Sequence, residues 1–163
     1  MKNRVYKQFI WFICFLCSVS LYGQSSDLKM FTFEEVDSFM IKAPKQVVVF
    51  FHTDWCKYCH LMNETTFQNK KIVKILNDRF YFISFNAESQ KTIKFAGQTF
   101  TYIPKGNSNG IHEIATQLAS VDGKLNYPSV CVLNSKYEIV FQYNQYLAPS
   151  EFLVVLNKLK DSK

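Results

Sequence analysis

The chain has 163 residues, 48% of them hydrophobic and 20% charged, and a formal net charge of +6. That length suits one domain with a core of its own, and the composition excludes a chain disordered throughout. No apolar run reaches the length of an ordinary membrane span, and five cysteines are too few for a disulfide-dense mini-scaffold.

The first residues read as a leader. Lys2, Arg4 and Lys7 precede an apolar stretch from Phe9 to about Val19, and Ser18, Ser20, Gly23 and Gln24 follow. This is the layout of a secretory signal peptide. The expected boundary follows Gly23, with residues 24–163 forming one mature domain in the periplasm or outside the cell; the alternative is an uncleaved N-terminal anchor. Lipidation of Cys17 is not expected, because the residue before it, Leu16, is large. The leader carries three cations and no acid, so much of the basicity belongs to it. The rest has no basic run interleaved with aromatics, and nucleic acid is not an expected partner. Removal also takes Cys14 and Cys17. It leaves Cys56, Cys59 and Cys131, an odd number, so at least one thiol lacks a partner within the chain.

In the mature chain, Thr32-x-x-Glu35 is a capping box flanked by a Phe31/Val36 staple, and Phe33, Val36 and Met40 mark one helical face. A short strand before Thr32 is an open option. Val47–Phe51 is a continuous β-branched and aromatic run, the pattern of a strand buried on both faces. After the polar break His52–Asp54 come the cysteines, and Leu61, Met62 and Thr65 continue a helical period from them. Asn69 caps a second helical piece with Ile72, Val73, Ile75 and Leu76, and Phe80–Phe85 is a strand.

Beyond it, Ile93, Phe95, Phe100 and Tyr102 alternate around Ala96-Gly97-Gln98 as in a small hairpin. Residues 105–110 read as a loop, and Ile111, Ile114, Ala115 and Leu118 as one face of a short helix. Ser129–Leu133 and Glu138–Tyr143 are strands joined by a turn at Asn134-Ser135. Pro149 opens a last helix, where its missing donor costs nothing, with Phe152, Val155, Leu156 and Leu159 as its buried stripe. Strands mixed with helices in this order predict an α/β sheet with helices on both faces.

The chemistry is concentrated at Trp55-Cys56-Lys57-Tyr58-Cys59. Where a buried strand gives way to a helix, Cys56 meets the unsatisfied N–H groups and the positive end of the helix dipole. A free thiol has a pKa of ~8.5, whereas helix-start Cys-x-x-Cys nucleophiles fall to roughly 3.5–7.5. The thiolate is the attacking species in thiol–disulfide exchange. The spacing puts Cys59 about one turn along, near enough to resolve a mixed disulfide at Cys56. Lys57 favours that thiolate by charge and Asp54 opposes it. His52 and His60 are candidates for tuning or proton transfer. Cys131, in an apolar strand, reads as an inert buried thiol.

Thr53-Asp54-Trp55-Cys56-Lys57-Tyr58-Cys59-His60 behind Val47–Phe51 resembles the active site of the thioredoxin-like superfamily, and Tyr127-Pro128 before a late strand resembles that fold's cis-proline. The likeness spans most of residues 28–160. Asp54-Trp55-Cys56 and Glu64-Thr65-Thr66-Phe67 are most similar to the exported reductase branch, which includes the C-terminal domain of DsbD-type carriers. The resemblance implies a thioredoxin fold, a mixed β-sheet flanked by helices, with an insertion before the cis-proline strand. It implies a thiol–disulfide oxidoreductase with Cys56 as nucleophile and Cys59 as resolving thiol, more reductive than oxidative. Client proteins with disulfides or free thiols would meet Trp55, Lys57, Tyr58, Tyr127 and Pro128. An upstream redox partner such as a membrane electron carrier would recharge the pair. Phe100, Tyr102 and Tyr127 are candidates for an aromatic client-binding lip; for Phe100 and Tyr102 the alternative is core packing or an ordinary surface place. The redox disulfide serves in place of a cofactor, and a monomer is expected.

Three departures stand out. Lys57-Tyr58 is neither the Gly-Pro of thioredoxin nor the Pro-His of DsbA. Phe50 occupies the place of thioredoxin's buried acid, so another group or water must take the Cys59 proton. The stretch 86–127 is longer. Two other readings of the same pair stay open: a metal-binding protein using Cys56, Cys59 and a histidine such as His60, and a non-enzymatic adaptor with a fixed disulfide. No hydrolase or phosphate-loop motif occurs.

Overall fold

The computed structural model describes residues 27–106 and 109–160. The expected leader, with Cys14 and Cys17, lies outside them.

Helix α1 (Phe33–Met40) opens as the capping box requires: Thr32 Oγ1 accepts the Glu35 N–H and Glu35 returns a carboxylate oxygen to the Thr32 N–H. Strand β1 (Gln46–His52) follows, then α2 (Lys57–Glu64), a 3₁₀ turn (Thr66–Gln68) and α3 (Lys70–Arg79), capped by the Asn69 side chain. Strand β2 (Phe80–Asn86) leads into two hairpins, β3 (Ile93–Phe95) with β4 (Gln98–Phe100), and β5 (Tyr102–Lys105) with β6 (Asn109–His112). Helix α4 (Glu113–Ala119), the two-residue strands β7 (Ser120–Val121) and β8 (Lys124–Leu125), β9 (Ser129–Leu133), β10 (Ile139–Tyr143) and α5 (Pro149–Leu159) complete the order.

The main sheet runs β10-β9-β1-β2. β1 and β2 are parallel; β9 is antiparallel to both β1 and β10. Period-two alternation divides β1 between two cores. Val47, Val49 and Phe51 pack with α1 and α4, together with Cys131 of β9. Val48 and Phe50 pack with α2, α3 and α5, together with Cys56 and Cys59. Val47 through Phe51 are all wholly buried, so β1 is the central strand that the sequence pattern predicts. Burying one such Phe contributes about 1.5–3 kcal/mol.

The segment between β2 and β9 departs from the sequence reading in several places. The first hairpin turns on Ala96 and Gly97, both at positive φ, but Tyr102 belongs to the second hairpin, opposite His112. The predicted loop 105–110 is largely that hairpin's far end, with Lys105 paired to Asn109 and Pro104 to Gly110. A Cβ on Gly110 would collide with the Tyr102 ring, which explains glycine there. Ile111 sits in β6 rather than on the helix face, because the helix begins only after His112. The β7–β8 hairpin, on the positive-φ pair Asp122-Gly123, was not foreseen. Among the described residues before Thr32 there is no strand; a backbone bond, Phe31 N–H to Phe82 O, ties the chain to the β2 edge.

The first hairpin lies against α1, on the far side of the sheet from the cysteine pair. Phe95 meets Phe33 edge-on at 4.9 Å. Glu34 accepts the Lys94 N–H, and Asp37 accepts the Ala96 N–H and the Tyr137 hydroxyl. Phe100 is buried in that core, and Tyr102 lies over Gly110. Phe100 therefore takes the core-packing alternative rather than a place in a lip, and Tyr102 is half-buried in its own hairpin.

Candidate active site

Cys56 is the N-cap of α2, and its position follows from β1 ending at His52 and the Thr53–Trp55 turn closing through the Cys56 N–H to Thr53 O bond. Its Sγ accepts the Cys59 N–H at 3.1 Å. That N–H, shared with the Cys56 carbonyl at 3.0 Å, belongs to the first turn of the helix, and it favours negative charge on the sulfur. Cys56 and Cys59 form a disulfide with 5.2 Å between their Cα atoms. Both are buried, at 5% and 2% exposure, in the core shared by α2, α3 and α5.

Around this disulfide the sequence-predicted residues separate into rim and interior. Trp55 and Tyr58 stand out at 67% and 62% exposure, with Lys57 exposed between them. Trp55 meets Tyr127 edge-on at 6.3 Å, and Tyr58 meets Tyr146 at 6.1 Å. The Tyr127–Pro128 bond is cis, and Pro128 is buried at the entry to β9. These aromatics rim the site with apolar surface. Sequence reasoning missed Tyr146, Asn86, which donates to Asp54, and Glu88, just beyond β2, which accepts the Trp55 indole N–H at 3.0 Å. A lone acid on a loop carries no pattern that would have found it.

The polar residues differ in how they are held. Asp54 accepts from Asn86 Nδ2 at 2.9 Å through its carboxylate and from His60 Nε2 at 2.8 Å through its carbonyl. A carbonyl only accepts, so His60 carries its proton on Nε2. His52 stacks on Phe50 at 5.5 Å. Burial holds it below the ordinary imidazole value; the Asp54 charge works against that shift and His60 adds to it. Burial, with the Glu88 charge adding to it, pushes Tyr127 up to about 12. Its hydroxyl and Thr53 Oγ1 are buried with no hydrogen-bond partner among the described residues.

Cys131 is on the other face, opposite Val49, and burial raises its thiol to about 12. It is the inert thiol that the sequence suggests. Among the described residues no three metal-ligating side chains converge.

Residues 34–160 match the family model described as a thioredoxin-like domain. No curated protein sequence matches the chain. Among solved structures, a thioredoxin from Thermus thermophilus is similar over 82% of this chain and 87% of its own, with 20% identity and a TM-score of 0.59. A thioredoxin-fold protein from Helicobacter pylori matches 84% of this chain and 76% of its own, at 17% identity and TM-score 0.56. The oxidised DsbD C-terminal domain of Neisseria meningitidis matches 80% and 98%, at 18% identity and TM-score 0.52. At these identities the likeness is one of fold.

Proposed function

The chain belongs to the thioredoxin-like family and is a thiol–disulfide oxidoreductase; from that premise we propose that it is exported and reduces disulfides in client proteins. The observation that carries the reading is the Cys56–Cys59 disulfide at the start of α2, with Cys56 Sγ receiving a helix-start N–H. That donor stabilises the thiolate which must both attack and leave in exchange.

In the proposed cycle, the Cys56 thiolate of the reduced pair attacks one sulfur of a client disulfide and expels the other as a thiolate, which takes a proton. Cys59 then loses its proton and attacks Cys56 Sγ. The bond from Cys56 to the client breaks, the second client thiolate leaves and is protonated, and the Cys56–Cys59 disulfide forms. The client gains two electrons and two protons. An upstream dithiol, such as that of a membrane electron carrier, returns the pair to the reduced state by the reverse exchange. Trp55, Tyr58, Tyr127 and Pro128 are proposed to receive the client; the backbone at Tyr127 offers groups for a short extended pairing, and Lys57 adds charge beside Cys56. The leader pattern of residues 1–23 supports export. The residues around the motif, similar to those of exported reductases, support the reducing direction.

The test is the equilibrium reduction potential of the pair, titrated against a thiol redox buffer and read by mass after alkylation. A value near the ~−270 mV of thioredoxin bears out a reductase. A value near the ~−120 mV of DsbA turns the direction round. A pair that never exchanges points to the metal-binding or adaptor reading.

A further inference from the structure

The chain's three histidines are held in three different ways, and the contrast singles one out. His112 is wholly buried and engaged at both nitrogens: Nε2 lies 2.8 Å from Lys91 O, and Nδ1 accepts the Ile114 N–H. It is a structural pin. His60 is exposed and engages Asp54 O through Nε2. His52 makes no hydrogen bond from its ring to any described residue; its one ring contact is the stack on Phe50. A half-buried imidazole with neither nitrogen engaged can exchange a proton without breaking an existing bond.

Its place gives that freedom a use. Cys59 must lose a proton to resolve the mixed disulfide, and it is 2% exposed. The side chains of β1 on the cysteine face are the neutral amide Gln46, then Val48, Phe50 and His52. Two are apolar, so His52 is the one titratable group that β1 offers there. The nearby carboxylates are already engaged, Asp54 by Asn86 and Glu88 by Trp55, and the unpartnered Tyr127 hydroxyl, pushed up to about 12, keeps its own proton at neutral pH.

Resting on the reading of the pair as an exchange couple, we infer that His52 accepts the Cys59 proton as Cys59 attacks the mixed disulfide at Cys56. The proton passes from Cys59 Sγ to an imidazole nitrogen, the Cys59–Cys56 bond forms, and the Cys56–client bond breaks. The leaving client thiolate takes the proton back from the imidazolium, so His52 ends neutral. The neutral form is the acceptor, and burial, which lowers its pKa, keeps it in that form at neutral pH. The charged or titratable groups acting on His52 are Asp54 from the turn and His60 from α2; Asn86, its partner on β2, is uncharged.

The test uses the chain with Cys14 and Cys17 changed to Ser, reduced and mixed with Ellman's disulfide in a stopped-flow instrument. Cys56 attack releases the first coloured thiolate and Cys59 attack the second, so the two steps separate. In the parent chain the second phase is expected to rise with pH below neutrality, as His52 loses its proton, and then level off. In His52→Ala the second phase should slow by about tenfold or more at neutral pH and climb with Cys59 ionisation instead, while the first phase is unchanged. Added imidazole should restore the second phase. An unchanged second phase, an equal slowing of both, or no rescue by imidazole overturns the inference. A parent chain that releases no second thiolate overturns the exchange reading itself, independently of His52.

Discussion

Cys56 and Cys131 are almost equally hidden, at 5% and 0% exposure, yet the fold gives them opposite chemistry. Cys131 sits in mid-strand, opposite Val49, in a core of aliphatic and aromatic side chains. Nothing there stabilises a charge, and burial raises the thiol to about 12. Cys56 lies on the other face at the first turn of a helix, with a backbone N–H 3.1 Å from its sulfur. Burial alone therefore does not set thiol reactivity; the donors that burial brings to the sulfur do.

The largest expected effect is the loss of one sulfur against the other. Cys56→Ser should abolish dithiothreitol-driven insulin reduction, whereas Cys131→Val should retain it within about twofold, since a volume-conserving core change costs little. Activity surviving in Cys56→Ser would break both the contrast and the assignment. Next comes Cys59→Ser, which keeps the attacking thiol and removes the resolving one. It should accumulate a client adduct on Cys56, visible as added mass that dithiothreitol removes. An adduct mapping to Cys131 would invert the comparison.

A smaller effect concerns pH. In the reduced protein, iodoacetamide should modify Cys56 with a midpoint in the roughly 3.5–7.5 range of helix-start thiolates, and leave Cys131 unmodified there. Cys131 also gives stability a pH dependence of known sign. The unfolded thiol ionises near 9.0, but the folded one keeps its proton to about 12. Between those values unfolding releases a proton, so stability falls as pH rises. Tyr127, moved from 10.0 to about 12, acts in the same direction one step later. Denaturant midpoints should fall above about pH 9, and Cys131→Val should delay the onset. A wild-type midpoint flat from pH 9 to 11 would contradict the raised thiol.

The legibility of these regions from sequence follows from how local their causes are. The strand at Val47–Phe51, the capping box at Thr32 and the helix-start cysteines each rest on contacts within a few residues, and all are found where the sequence puts them. Tyr127-Pro128 was legible through family resemblance rather than through any local pattern. The hairpins after β2 were harder. Strands of two to four residues are too short for alternation to be distinguished from the 3.6 period, so Ile111 and Ile114 read as one helix face although one is in β6 and the other in α4. The Asp122-Gly123 pair was a hairpin signal, but the strands beside it are only two residues long. The Trp55–Glu88 bond joins residues separated by 33 positions, and nothing local encodes such a meeting.

The smallest expected effect sharpens the contrast most, because it acts on one core only. Helix α1 covers the Cys131 face through Phe33, Val36 and Met40, and its first turn is held by the reciprocal Thr32–Glu35 bonds at 3.2 and 2.8 Å. Thr32→Ala removes the side-chain half of that box, at a cost of about 1 kcal/mol. A loss of that size raises the opened population about fivefold. Cys131 is alkylated only from opened states, so its modification should speed up by about that factor at neutral pH. Cys56 is served by α2 on the opposite face, so its alkylation rate and the insulin-reduction rate should not change. If Thr32→Ala moved the Cys56 rate by the same factor, the two faces would open as one unit, and the difference between the two thiols would not be separable by face.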